Sequence, residues 1–185
     1  MTFSFRSVLR QGGEIAIILL IAWLTWLLIV ADWMHVGWLC AMIAIIALAK
    51  TAFFFIENLQ SLLEATATDV PYHRFMGLMM VNMAQITLSF GCDYWCLEKA
   101  FPNSLGGIDT SLTGFEMMFE CFYFSFLNFT FFGYGDITPQ TIPAKLVTMM
   151  ELLMAFFTVI FLLSDFISLK DALRVGGSRE KRSAD

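Results

Sequence analysis

Four long apolar runs constrain this chain more than any other feature: about Glu14–Ala31, Val36–Ile56, Phe75–Cys96 and Pro143–Leu169. A hydrocarbon core of about 30 Å takes about 20 residues of helix to cross, and each run is close to that length. Of the 185 residues, 58% are hydrophobic and only 15% are charged, too few to cover a water-facing surface. The sequence therefore predicts an all-α integral membrane protein with four transmembrane helices, surrounded by membrane lipid. A fifth apolar stretch, Leu112–Phe129, is broken by Glu116, Glu120, Ser125 and Asn128, which makes it too short and too polar for a span. The first run is not expected to be a cleaved leader, because it is long, contains Trp23 and Trp26, and is followed by no small-residue cleavage pattern.

Basic residues are retained on the cytoplasmic side of a membrane and so set orientation. With four spans, nine of the eleven Lys and Arg residues share one side: Arg6, Arg10, Lys50, Arg74, Lys170, Arg174, Arg179, Lys181 and Arg182. Lys99 and Lys145 fall on the other. Both termini are then cytoplasmic, in a cell (plasma or inner) membrane. Trp33, Trp38, Tyr94 and Trp95 are expected at the outer boundary, where amphipathic rings settle.

Residues 1–57 hold the first two helices. They carry no arginine ladder, and Lys50 is alone near the cytoplasmic end, so they read as a peripheral brace and not a voltage sensor. Residues 58–74 form a cytoplasmic linker in which Leu59, Leu62 and Leu63 recur at helical spacing; a short interfacial helix ending near Pro71 is expected. In the charged tail, residues 171–185, Gly176 and Gly177 are expected to stop the helix and leave the remainder disordered.

Several function classes are disfavoured. A net charge of −5 and the lack of any basic pattern argue against nucleic acid as a partner. No nucleophile–base pair is visible, and Glu116 with Glu120 on one helix face is too common a pattern to suggest an enzyme. Cys40, Cys92, Cys96 and Cys121 lack companion histidines for a metal site; a disulfide from Cys92 or Cys96 to Cys121 competes with buried free thiols, the better expectation. His35 and His73 are single loop histidines, and no cofactor is expected.

The polar break after the fifth stretch reads "NFTFFGYGDITP", residues 128–139. Irregular backbone is tolerated at membrane depth only inside protein or along a water-filled path. Glycines at 133 and 135 permit angles that a Cβ resists, so successive carbonyls can be aimed one way and replace the water shell of a small cation. The C-terminal end of the preceding helix adds partial negative charge.

The stretch "YFSFLNFTFFGYGDITP" (Tyr123–Pro139) resembles the pore helix and selectivity filter of tetrameric potassium channels, whose signature is Thr-Val-Gly-Tyr-Gly-Asp. The resemblance makes residues 75–170 a pore domain, with a re-entrant helix and filter loop between the third and fourth spans. It implies that Gly133, Tyr134 and Gly135 present carbonyls, with potassium ions held by those of Gly133 and Tyr134 as the permeant species. It implies that the Tyr134 ring packs outward, that Asp136 sits at the outer mouth, and that Tyr123 bonds Asp136. It also implies a homotetramer. Thr130 matches the last threonine of the pore helix, while Phe131 stands where the family's filter threonine closes the innermost site, and Phe132 replaces the valine. Phe132 would point into protein. Phe131 leaves three arrangements open: carbonyls kept with hydroxyls lost, four rings forming a hydrophobic constriction, or Thr130 taking over as ligand.

In the fourth span, Ala155 occupies the position of a frequent glycine hinge among relatives, so bending there is disfavoured by about 1 kcal/mol. Phe156, Val159, Leu163 and Ile167 form a stripe that faces either a cavity or neighbouring helices. Glu151 falls where relatives often have a glutamate behind the pore helix. Asp165 either attracts cations to the inner vestibule or caps a neighbour. Asp32, Asp93, Glu98, Asp109, Glu116, Glu120 and Asp136 would give an acidic, cation-concentrating outer face. Asn82, Gln85 and Ser89 share one helical face and suit bonds between helices. The function expected from the resemblance is a potassium-selective or potassium-permeable channel subunit. The alternatives are a non-selective cation channel, or a non-conducting structural or regulatory protein blocked at Phe131.

Overall fold

The computed structural model describes residues 5–31, 36–67, 72–109 and 111–182. Asp32, Trp33 and His35 lie outside the described residues, and so do the side chains of Cys40, His73, Arg74, Asp165, Ile167 and the basic tail. In chain order the protein consists of α1 (Phe5–Ala31), α2 (Val36–Ala67), α3 (Tyr72–Ala100), β1 (Leu105–Gly106), α4 (Phe115–Phe129), β2 (Thr138–Pro139) and α5 (Ile142–Arg182). Two of these helices are long and apolar enough to cross a membrane, over Gly37–Ile56 and Ile142–Phe161; α1 contributes the shorter apolar helix Ile15–Ala31.

Two helices run further than their sequences suggest. The segment expected as a separate interfacial helix continues α2 without a break to Ala67. Likewise α5 passes through Gly176 and Gly177 to Arg182. A glycine costs a helix interior about 1 kcal/mol relative to alanine, which weakens a helix without forbidding it.

The core forms where apolar stripes at helical spacing meet. Ile43, Ala47 and Phe54 of α2, Ile86, Phe90 and Leu97 of α3, Cys121 and Phe124 of α4, and Ala144, Val147 and Met154 of α5 are all buried in one cluster. α2 lies along both α3 and α5, α1 lies on α3, and α4 is held between α3 and α5. Between α3 and α4 the approach depends on Gly91, because a Cβ there would sit 2.1 Å from Cδ1 of Phe122. Lipid tails are as apolar as leucine, so close packing and interhelical hydrogen bonds hold such a bundle more than apolar burial does. The buried faces of α3 and α5 accordingly carry Gln85, Ser89, Asp93, Thr148, Glu151 and Thr158 among their apolar residues.

A two-stranded antiparallel pair ties the loops on either side of α4 together, with Leu105 opposite Pro139 and Gly106 opposite Thr138. Glu98, near the end of α3, was expected to be an exposed acid but is buried. Its Oε1 accepts the Asn103 N–H at 2.7 Å and its Oε2 the Leu105 N–H at 2.9 Å. Accepting both backbone amides, the Glu98 carboxyl clamps β1 to α3.

Candidate functional site

The loop from Thr130 to Asp136 leaves the C-terminal end of α4, and the way that helix ends shapes it. Thr130 is the C-cap, with φ −87° and ψ 0°. The Phe131 N–H then bonds the Asn128 carbonyl at 3.1 Å and the Phe132 N–H reaches back to the Leu127 carbonyl at 3.0 Å. These two bonds form a Schellman motif, whose turning residue takes a left-handed conformation and is usually glycine. Here it is Phe131, at φ 59°. A Cβ in that region costs about 1–2 kcal/mol, so the turn is held against local strain.

Positive φ recurs at every second residue beyond it, at Phe131 (59°), Gly133 (36°) and Gly135 (78°), and not at Phe132 or Tyr134. Residues of alternating handedness place successive N–H groups on one side of the chain and successive carbonyls on the other. The side chains between follow the same rule, since the Phe132 and Tyr134 rings stack on one side with centroids 6.1 Å apart and planes at 20°. Residues 131–136 are exposed in the single chain. The Thr130 hydroxyl donates back into α4, to the Phe126 carbonyl at 2.7 Å. Its proton is therefore committed to the helix.

At the far end of the loop the Tyr123 hydroxyl donates to Asp136 Oδ2 at 3.0 Å, while Asp136 Oδ1 accepts the Ile137 N–H at 2.9 Å. The loop's two ends are thus tied, one to the C-terminus of α4 and the other to its middle. Nearby, the Ser111 N–H bonds Asp109 at 2.8 Å and holds that exposed carboxyl below the usual carboxylate range.

Behind α4 lies a buried polar node. Glu151 on α5 is fully buried and accepts the Tyr94 hydroxyl at 2.7 Å, Asn128 Nδ2 at 3.2 Å and the Ser125 hydroxyl. Thr148 Oγ1 lies 3.2 Å from the Tyr94 hydroxyl, and the Phe124 ring meets Tyr94 edge-on at 4.8 Å. Tyr94, expected at a membrane boundary, instead has no exposed surface. A phenol that far inside must find a hydrogen-bond partner, and Glu151 supplies it. Asn128 joins the node to the loop, because its side chain bonds Glu151 and its carbonyl accepts the Phe131 N–H.

Of the stripe expected on α5, Phe156 and Leu163 are exposed and Val159 is half-buried; Ala155, at the hinge position, is fully buried in the core. Met149, Leu153 and Ile160 are exposed along with Phe156 and Leu163. Cys92, Cys96 and Cys121 are buried free thiols. No group of three or more metal-binding side chains occurs among the described residues.

One contact corrects the placement of two charges. Lys50, expected near the cytoplasmic end, and Asp93, expected on the outer face, meet, with Lys50 Nζ 2.6 Å from Asp93 Oδ1 and both side chains about nine-tenths buried. The signal was present in the sequence as opposite charges inside two apolar runs, which in lipid must find each other or water.

Residues 104–170 match the profile of a family described as "Ion channel". A "Hyperpolarization-activated voltage-gated potassium channel" of Methanocaldococcus jannaschii is 34% identical over 92 residues, which cover 48% of this chain and 36% of that protein's length. No solved structure matches. Residues 104–170 are thus similar to an ion-channel family, and the chain spans about a third of the length of the potassium channel it matches.

Proposed function

We infer that the chain is one subunit of a fourfold ring that conducts potassium ions along the backbone carbonyls of the Phe131–Gly135 loop. In this reading α1, α2, α3 and α5 span the membrane, α4 is the re-entrant pore helix, and both termini are cytoplasmic. The observation that carries it is the alternation of positive φ at Phe131, Gly133 and Gly135, which suits a row of carbonyls facing one side. Two further features support it. One loop cannot surround an ion, and the single chain leaves Phe126, Phe131, Phe132, Tyr134, Phe156 and Leu163 exposed, an apolar area suited to cover by further copies. The C-terminal end of α4 adds negative potential beside the loop.

Exposure of the Phe131 ring supports a second reading, a silent subunit plugged by four such rings. Purified protein in liposomes separates the two. Potassium flux well above sodium flux is expected. Equal fluxes would leave a non-selective cation channel, and no flux would favour the plug.

A further inference from the structure

The Lys50–Asp93 pair is poorly explained as a stabilising contact. Asp93 Oδ2 and the neighbouring Ser89 hydroxyl are buried and have no hydrogen-bond partner among the described residues. The remaining bond of Lys50 is a long one, 3.5 Å to the Ser89 carbonyl. On its other side Lys50 borders two apolar clefts between α1 and α2, of about 250 and 300 Å³, walled by residues such as Ile18, Ile21, Ala49 and Phe53. A buried ion pair with an unsatisfied oxygen contributes less than a well-packed apolar pair would, whereas removing one partner leaves an uncompensated charge. Its position is more informative than its strength.

Asp93 and Tyr94 are consecutive on α3, so their side chains leave the helix about 100° apart. Asp93 turns to α2 and bonds Lys50, while Tyr94 turns to α5 and bonds Glu151 at 2.7 Å. Glu151 accepts from Asn128, whose carbonyl holds the Phe131 N–H where the loop leaves α4. A rotation or slide of α3 at this level must move both contacts together. Further along α2, the Phe55 ring meets Phe157 and Phe161 of α5, with centroids at 5.2 and 6.1 Å. α2 is thereby attached to the helix behind the loop and to the helix that follows it.

We propose that Lys50 and Asp93 are a positioning pair for the ion pathway, through which α2 sets the conformation of the Phe131–Gly135 loop by way of Tyr94, Glu151 and Asn128. This makes α2 a control element of the pore and not a passive brace, and it rests on the reading of the loop as a conduction path. The carboxylate of Asp93 holds Tyr94 in register only while the Lys50 ammonium is opposite it. Mutations along a packed network of this kind alter coupling by roughly 2- to 30-fold.

The test compares the unmodified protein with Lys50→Met, Asp93→Asn, the double variant and the exchanged pair Lys50→Asp with Asp93→Lys. Three quantities are read: the potassium-to-sodium flux ratio in liposomes, thermal melting of the detergent-solubilised assembly, and amide hydrogen exchange at Phe131–Gly135. Each single variant is expected to change the flux ratio by roughly threefold or more and to speed exchange in the loop. The exchanged pair should recover most of both, whereas the double variant, which has no ion pair, should not. Parental flux ratio and loop exchange in every variant, with only melting lowered, would show a purely structural pair and overturn the proposal. Absence of flux in the unmodified protein would instead remove the conduction reading. Loop exchange then decides the coupling by itself, faster exchange in the single variants sustaining it and parental exchange refuting it.

Discussion

The Tyr94 hydroxyl donates to Glu151 Oε2 at 2.7 Å and so joins α3 to α5 directly behind α4. With Ser125 and Asn128 also donating to Glu151, three buried donors converge on one carboxyl group, while Ser125 also reaches the Thr87 carbonyl at 2.9 Å and Tyr94 reaches Thr148 at 3.2 Å. Each buried donor left unsatisfied costs about 1–3 kcal/mol. Glu151→Ala, which leaves Asn128 without its carboxyl acceptor, is therefore expected to lower the stability of the detergent-solubilised protein by about 1–3 kcal/mol and to reduce ion flux. Glu151→Gln, which keeps one acceptor oxygen, should cost less. Melting curves of the two variants that superimpose would contradict this ranking.

Phe131 offers a test of opposite sign. Its φ of 59° places a bulky residue where a Schellman turn suits glycine. Phe131→Gly should raise stability by about 1 kcal/mol by relieving strain. Phe131→Thr, the change toward the family signature, adds a β-branched residue at the same angle and should lower stability. Thermal melting reads both, and a destabilised glycine variant would mean that packing of the ring outweighs the backbone cost.

Tyr123 and Asp136 tie the far end of the loop at 3.0 Å. Tyr123→Phe removes that bond with little change of shape. The expected result is a severalfold fall in potassium-to-sodium flux ratio with melting nearly unchanged. An unaltered ratio would deny the bond a part in shaping the loop.

Gly91 permits the close approach of α3 and α4, since a Cβ would lie 2.1 Å from the Phe122 ring. Gly91→Ala gains helix propensity but forces Phe122 to move. Overpacking of this kind costs about 1–3 kcal/mol and should outweigh the gain. Gly91→Ala combined with Phe122→Leu is expected to recover part of the loss, which a double-mutant cycle measures.

Much of the layout was readable from the residues in order. The long apolar runs marked the helices, and the polar breaks in Leu112–Phe129 separated α4 from its neighbours. The glycines at 133 and 135 announced the unusual backbone of the loop, and both have positive φ. Such signals are short-range. They depend on a residue's own backbone preferences and on neighbours three or four positions away, so a single chain displays them without its fold.

The tertiary structure decided the rest. Lys50 and Asp93 are 43 residues apart and Tyr94 and Glu151 are 57 apart, so no local pattern could pair them. Charges read as exposed are internal because lipid and protein exclude the water that would otherwise compete for them. Phe131 is left-handed because the end of α4 is fixed from behind by Glu151 acting on Asn128, and the backbone bonds of that helix end outweigh the preference of one phenylalanine. The sequence by itself determined which segments are helices and where the backbone must depart from them. Only packing α2, α3, α4 and α5 together determined which buried polar groups hold that departure in place, because a polar atom removed from water must bond whatever the fold brings within reach.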